Sequence, residues 1–172
     1  GLGFYQGRGW DRTLTSAGAR MLAQRLAAPL TAAAAINARL DLVQMFVERG
    51  DLRETVRAAL SHCPDLERSL SRLSLGRGGP RDLAAVRDAA SRAQDLRGVL
   101  SAATDQPTTP PGLDQIVGAL GQHAVLIDRL TRALGPDLPL LARDGGFIAE
   151  GYLPDLDEQR QLRDESRRLI AG

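Results

Sequence analysis

Pro80-Arg81-Asp82-Leu83-Ala84-Ala85-Val86-Arg87-Asp88-Ala89-Ala90-Ser91-Arg92-Ala93-Gln94-Asp95-Leu96 decides the fold class. Proline suits the first position of a helix, where its missing N–H leaves no bond unmade. Behind it Leu83, Val86, Ala90, Ala93 and Leu96 return at steps of three and four residues, a single apolar stripe with helical period. A half-buried strand would alternate by two instead. Gly76-Arg77-Gly78-Gly79 immediately before Pro80 reads as the turn that feeds this helix.

The same signature recurs on both sides. Thr15 or Ser16 is placed to cap a helix through Met21, Leu22 and Leu26 that ends before Pro29. Thr31 is the expected cap of the next helix, whose Ile36, Leu40, Val43 and Val47 mark one buried face, with Gly50 as its stop. Asp51 and Glu54 are spaced as a capping box ahead of Val56 and Leu60. Pro64 opens a short helix with Leu66, Leu70 and Leu73 on one side. A polar, proline-rich loop over 104–112 separates the central helix from one predicted over Leu113 to Leu134, with Ile116, Leu120, Ile127 and Leu130 inward. Gly118 and Gly121 each weaken that helix by about 1 kcal/mol relative to Ala, so a close helix contact is expected there.

One β element is expected. Asp144-Gly145-Gly146 supplies residues that tolerate positive φ, and flanking apolar residues predict a hairpin over 140–151. The final helix, Asp155 to Ile170, is charged on nearly every side, with few apolar residues: Leu156, Leu162, Leu169 and Ile170. Such a helix projects through solvent, sustained by pairs such as Asp164 with Arg168.

Composition narrows the function. Aromatics are 3% of 172 residues, so Leu, Ala, Val and Ile must build the core, which favours helices. A net charge of +1 gives no global attraction for phosphate. The chain has no Lys, and its 22 basic residues, all Arg, balance 21 acidic ones, as a GC-rich genome would produce. A lone Cys63 excludes an internal disulfide, and with no apolar run long enough to span a bilayer the chain reads as cytoplasmic.

Catalytic constellations fail on spacing. His62 and Cys63 are neighbours, so on a helix they diverge by about 100° and share no proton. His123 is the only other His, and no metal-ligand spacing is present. A phosphate-binding P-loop needs Lys. Arg68, Arg72, Arg77 and Arg81, gathered round one turn, are the candidates for a weak phosphate contact, although Asp65, Glu67 and Asp82 lie among them and favour internal ion pairs.

Three blocks stand in one order: Asp11-Arg12-Thr13-Leu14-Thr15-Ser16-Ala17-Gly18-Ala19-Arg20; Asp65-Leu66-Glu67-Arg68 with Arg72-Leu73 and Pro80-Arg81-Asp82-Leu83; and Arg143-Asp144-Gly145-Gly146-Phe147-Ile148-Ala149-Glu150-Gly151-Tyr152, followed by Leu156-Asp157-Glu158 and Arg160. In this order they resemble the central core segment of the MutS family of DNA mismatch repair proteins, across residues 11–172. The Gly-rich residues 1–10 depart from that pattern and read as an irregular or non-native lead.

The resemblance implies a multidomain parent, a homodimer that recognises mismatched DNA and uses ATP and magnesium in an ATPase domain outside this segment. It implies that the core links connector, clamp and ATPase domains of one chain, with no catalysis and no cofactor of its own. The resulting expectation is an all-α, multi-helix core over 11–153 with one short β-hairpin, and an outgoing lever helix over 154–172 directed towards a clamp domain. The alternative is a self-sufficient helical nucleic-acid-binding or protein-interaction module.

Overall fold

The computed structural model describes residues 11–104 and 109–171. They form eight α-helices: α1 Ser16–Ala27, α2 Ala33–Glu48, α3 Gly50–Ser61, α4 Leu66–Ser74, α5 Pro80–Thr104, α6 Pro111–Ala119, α7 Ala124–Ala133 and α8 Pro154–Ala171. The expected irregular lead at 1–10 lies outside the described residues.

Helix α5 is the axis. Its 25 residues extend about 37 Å at helical rise, and it packs on α3, α4, α6 and α7. Its start follows from local chemistry. Pro80 is the first helical residue, and the Asp82 carboxylate reaches back to accept from the Gly79 N–H at 2.9 Å, half of a capping box. Gly79 is required by crowding: a Cβ there would stand 2.5 Å from the Leu140 carbonyl oxygen. Ahead of it, α4 ends in a Schellman motif. Arg77 N–H donates to the Arg72 carbonyl at 2.9 Å and Gly76, at φ +66°, donates to Leu73.

The core gathers Met45, Leu52, Leu100, Ala103 and the fully buried Leu113, so α2, α3, α5 and α6 meet around the C-terminal half of α5. Nearer the N-terminus of α5, Ala84, Val86, Ala89 and Ala90 are buried, as are Ala133 and Leu134 at the end of α7. These small side chains let helices approach closely. The expected α5 stripe is present, with Val86, Ala90 and Leu96 buried and Leu83 and Ala93 half-buried.

Several expectations need correction. No hairpin forms at 140–151. Ala142–Asp144 make a 3₁₀ turn, and among the described residues the sole β feature is an isolated antiparallel bridge between Leu134 and Ile148. Gly145 and Gly146 do adopt positive φ. Phe147 and Ala149 nevertheless bond to the end of α7, through Gly135 N–H to Phe147 O at 2.8 Å and Ala149 N–H to Ala133 O at 2.9 Å. The chain after the turn thus pairs with Leu134 rather than folding back on Leu140. The all-α class stands without the hairpin.

The predicted helix over 113–134 is two helices, broken where Gly121 takes φ +68° and residues 121–123 leave helical geometry. Gly118 makes no close contact, whereas a Cβ on Gly112 would stand 2.9 Å from Leu42 Cδ1, so the tight approach of α2 and α6 occurs at Gly112. The Asp51–Glu54 capping box is not used: Arg49 is both the last cap of α2 and the first of α3, and Gly50 begins α3 instead of ending α2. Ala32, not Thr31, occupies the α2 N-cap. Thr15 does cap α1, its hydroxyl accepting from Gly18 N–H at 3.0 Å.

Candidate functional site: ionic joints and an uncovered groove

The charged side chains of the sequence motifs fasten one helix to another. Arg20 on α1 reaches α4, its two terminal nitrogens donating to Asp65 at 2.8 and 3.0 Å and to Glu67 at 2.7 Å. Asp65 also caps α4, accepting from Arg68 N–H at 3.2 Å. The Arg20 guanidinium, followed by that N–H, holds the Asp65 carboxyl well below the usual carboxylate range, and Asp65 and Glu67 in turn push Arg20 up. The first two sequence blocks are therefore one structural joint, although they lie 45 residues apart.

The four arginines singled out for phosphate are dispersed in role. Arg72 Nε donates to Asp82 at 3.1 Å, and another of its nitrogens donates to the Arg77 carbonyl at 3.3 Å. Arg81 Nε donates to Leu138 O at 2.9 Å. The side chains of Arg68 and Arg77 are exposed and bond to nothing among the described residues. The Asp82 carboxyl is lowered chiefly by the Gly79 N–H, with Arg72 adding to it and burial opposing.

The third block forms another joint. The Asp157 carboxylate accepts from Gly151 N–H at 2.7 Å and from Arg160 at 3.0 Å, and Arg160 also donates to Ile148 O at 2.9 Å. This ties the first turn of α8 to the loop that is bridged to α7. Beyond Arg160, residues 161–170 are all exposed, Leu169 and Ile170 at 84% and 86%. The expected Asp164–Arg168 pair is replaced by Arg163 with Asp164 at 2.8 Å.

Helices α2 and α6 border an open groove of about 660 Å³ with Leu42, Val43, Phe46, Val47 and Ile116 in its lining. Of the face read as buried, Ile36 is half-buried, but Leu40, Val43 and Val47 are 56%, 53% and 61% exposed; Met45 and Leu42 on the adjoining face supply the packing. Helix α2 is apolar on more than one side, and spacing alone identified the side that this fold leaves open. Arg25, Arg39 and Arg53 also line the groove, and Arg53 donates to the Phe46 and Val47 carbonyls that end α2.

His62 and Cys63 do not form a reactive pair. His62 Nδ1 is 2.8 Å from Ser61 Oγ, and the Cys63 thiol lies against the Pro64 carbonyl. Burial pushes that thiol up, with Arg92 opposing, which disfavours the nucleophilic thiolate. Among the described residues there is no group of three or more His, Cys, Asp or Glu placed to hold a metal, and no helix is long and apolar enough to cross a membrane.

Ionic joints between helices, open apolar faces and a projecting helix define an all-α structural module. Comparison with known families agrees: the family described as MutS domain III matches residues 10–171. The chain belongs to the MutS domain III family. It is similar to proteins named DNA mismatch repair protein MutS, at 48% identity over 170 residues in Caulobacter sp. (strain K31), covering 94% of this chain and 19% of that protein. In Caulobacter vibrioides the identity is 51% over 168 residues, with 94% and 19% covered. In Rhodopseudomonas palustris (strain HaA2) it is 53% over 166 residues, with 94% and 18% covered. The chain thus spans about a fifth of the length of these relatives.

Proposed function

We propose that this chain is the core segment of a mismatch repair protein of the MutS type and acts as a mechanical link. It would couple the binding of mismatched DNA to the state of an ATPase carried elsewhere in the same parent. The observation that supports this most is the combination of a family match over residues 10–171 with uncovered apolar faces on α2 and α6. A face of that kind serves contact with another part of an assembly. In this reading ATP and magnesium belong to the parent's ATPase domain, the segment performs no reaction, and α8 starts a lever towards a clamp domain. Connector, clamp and ATPase domains of one parent chain are its neighbours, and the parent works as a cytoplasmic homodimer.

Calorimetric titration of the 172-residue chain with ATP–magnesium, and with a duplex holding one mismatch, is expected to give no stoichiometric binding. In a full-length protein carrying the segment, Val43→Asp should abolish the response of ATP turnover to mismatched duplex and leave nucleotide binding in place. Binding by the chain alone, or an undiminished response in the variant, would refute the linking role.

The free side chains of Arg68 and Arg77 favour a second reading, a module that grips nucleic acid directly. DNA affinity that falls steeply with salt, and is lost on charge reversal at Arg68, Arg72, Arg77 and Arg81, would select it.

A further inference from the structure

Among the described residues, the half-buried positions of α8 all lie in its first two turns, at Leu156, Asp157 and Arg160. The rigid surroundings of that start are a chain of backbone bonds. Ala149 N–H donates to Ala133 O at 2.9 Å and Gly135 N–H to Phe147 O at 2.8 Å, which anchors residues 147–149 to the end of α7. Gly151, at φ +79°, then turns the chain towards Pro154. Across this turn lie two side chains, both largely shielded, Asp157 and Arg160, 21% and 25% exposed. Asp157 accepts from the Gly151 N–H, Arg160 donates to the Ile148 carbonyl, and the two are paired at 3.0 Å. The bonds to Gly151 and Ile148 run between α8 and the anchored loop, the Asp157–Arg160 pair joins the two side chains within α8, and residues 161–170 beyond them are all exposed.

We propose that Asp157 and Arg160 are positioning residues, a clasp that fixes the direction in which α8 leaves the helical body. The planar guanidinium is suited to this because its fork serves a carboxylate and a carbonyl at once, which an ammonium cannot do with the same rigidity. Without the clasp, the stretch of about three turns beyond Arg160 loses the side-chain bonds that tie α8 to the anchored loop, and a rotation of about 10° there displaces the far end of α8 by roughly 5 Å over its length of about 27 Å. The significance for coupling rests on the function proposed above; the direction of α8 does not.

The test uses spin labels at Gln94→Cys on α5 and Ser166→Cys on α8 of the whole chain, with Cys63→Ser to remove the native thiol. Pulsed dipolar spectroscopy should give one narrow distance distribution for the otherwise native sequence. Arg160→Ala and Asp157→Asn should each at least double its width, with helicity and melting of the body retained. If Arg160→Ala lowers the melting temperature of the body, Arg160→Lys serves in its place, and a broadened distribution is again expected. An unchanged width in a folded variant, or a native distribution already as broad as the variant's, overturns the clasp. Neither DNA nor nucleotide enters the measurement, so its failure is distinct from failure of the linking role.

Discussion

Helices α5 and α8 begin alike, each with a proline at its first position and acidic residues in its first turn, and then part company. Helix α5 places Val86, Ala90, Leu96 and Leu100 on its inner side and is enclosed by four other helices. Helix α8 replaces that stripe with Arg163, Asp164, Glu165, Arg167 and Arg168 and, among the described residues, has no helix packed along it. The first is held by many weak contacts that vanish only if the body unfolds, the second by a few directed bonds at one end. Helix α1 is intermediate. It buries no residue fully and is joined to α4 by the Arg20 bonds to Asp65 and Glu67. Fold stability and helix placement are thus carried by different chemistry in this module.

That contrast is open to direct attack. The largest effect is expected from Leu113→Ala at the fully buried centre of the body, a loss of about 3–4 kcal/mol, or roughly 10 °C in melting temperature, read by thermal unfolding. A loss below about 1 kcal/mol would mean that the body is not the seat of stability.

Acid should act next, and selectively. Because the native Asp65 carboxyl is held below its unfolded value of about 4, its contribution is complete above that pH and declines as pH falls towards the depressed native value. Amide exchange followed by NMR from pH 5 downwards should therefore show α1 and the start of α4 losing protection before α5, and Asp65→Asn should remove the pH dependence of α1. Simultaneous loss in α1 and α5 would erase the distinction between ionic and apolar attachment. Smallest of all, Leu169→Ala on the exposed part of α8 should leave stability within about 0.5 kcal/mol of the parent sequence.

Much of the fold is legible in the sequence where a local rule has no competitor. The α5 stripe, Pro80 at a first helical position and the Thr15 cap are of this type. The failures arise where one local rule has two outcomes. Asp144-Gly145-Gly146 requires positive φ at the glycines, which both occur, but positive φ does not choose the partner strand, and the chain found the end of α7. The Ile36–Val47 spacing is helical and apolar, yet spacing does not say which of two apolar sides meets the body. Gly118 and Gly121 looked equivalent; one sits harmlessly in α6 and the other breaks the helix.

Site residues were legible as motifs and illegible as partners. Asp65, Arg72 and Asp82 stand out in sequence as a charge cluster, and the structure pairs Arg72 with Asp82. No spacing rule connects Arg20 to Asp65, because that distance is set by the tertiary packing of α1 beside α4. The same holds for Asp157 and Arg160, whose i, i+3 spacing suggests an ordinary surface pair and conceals the bonds to Gly151 and Ile148.

The junction of α2 and α3 carries a consequence of its own. A single residue, Arg49, closes one helix and opens the next, and Arg53 ties the outgoing helix to the last carbonyls of the incoming one. Such an elbow has no slack to absorb a twist. Anything that turns α2 from its open groove side must turn α3 with it, and α3 lies against α5. In the linking role proposed above, a push at the rim would reach the axis of the module through two helices joined with no loop in between.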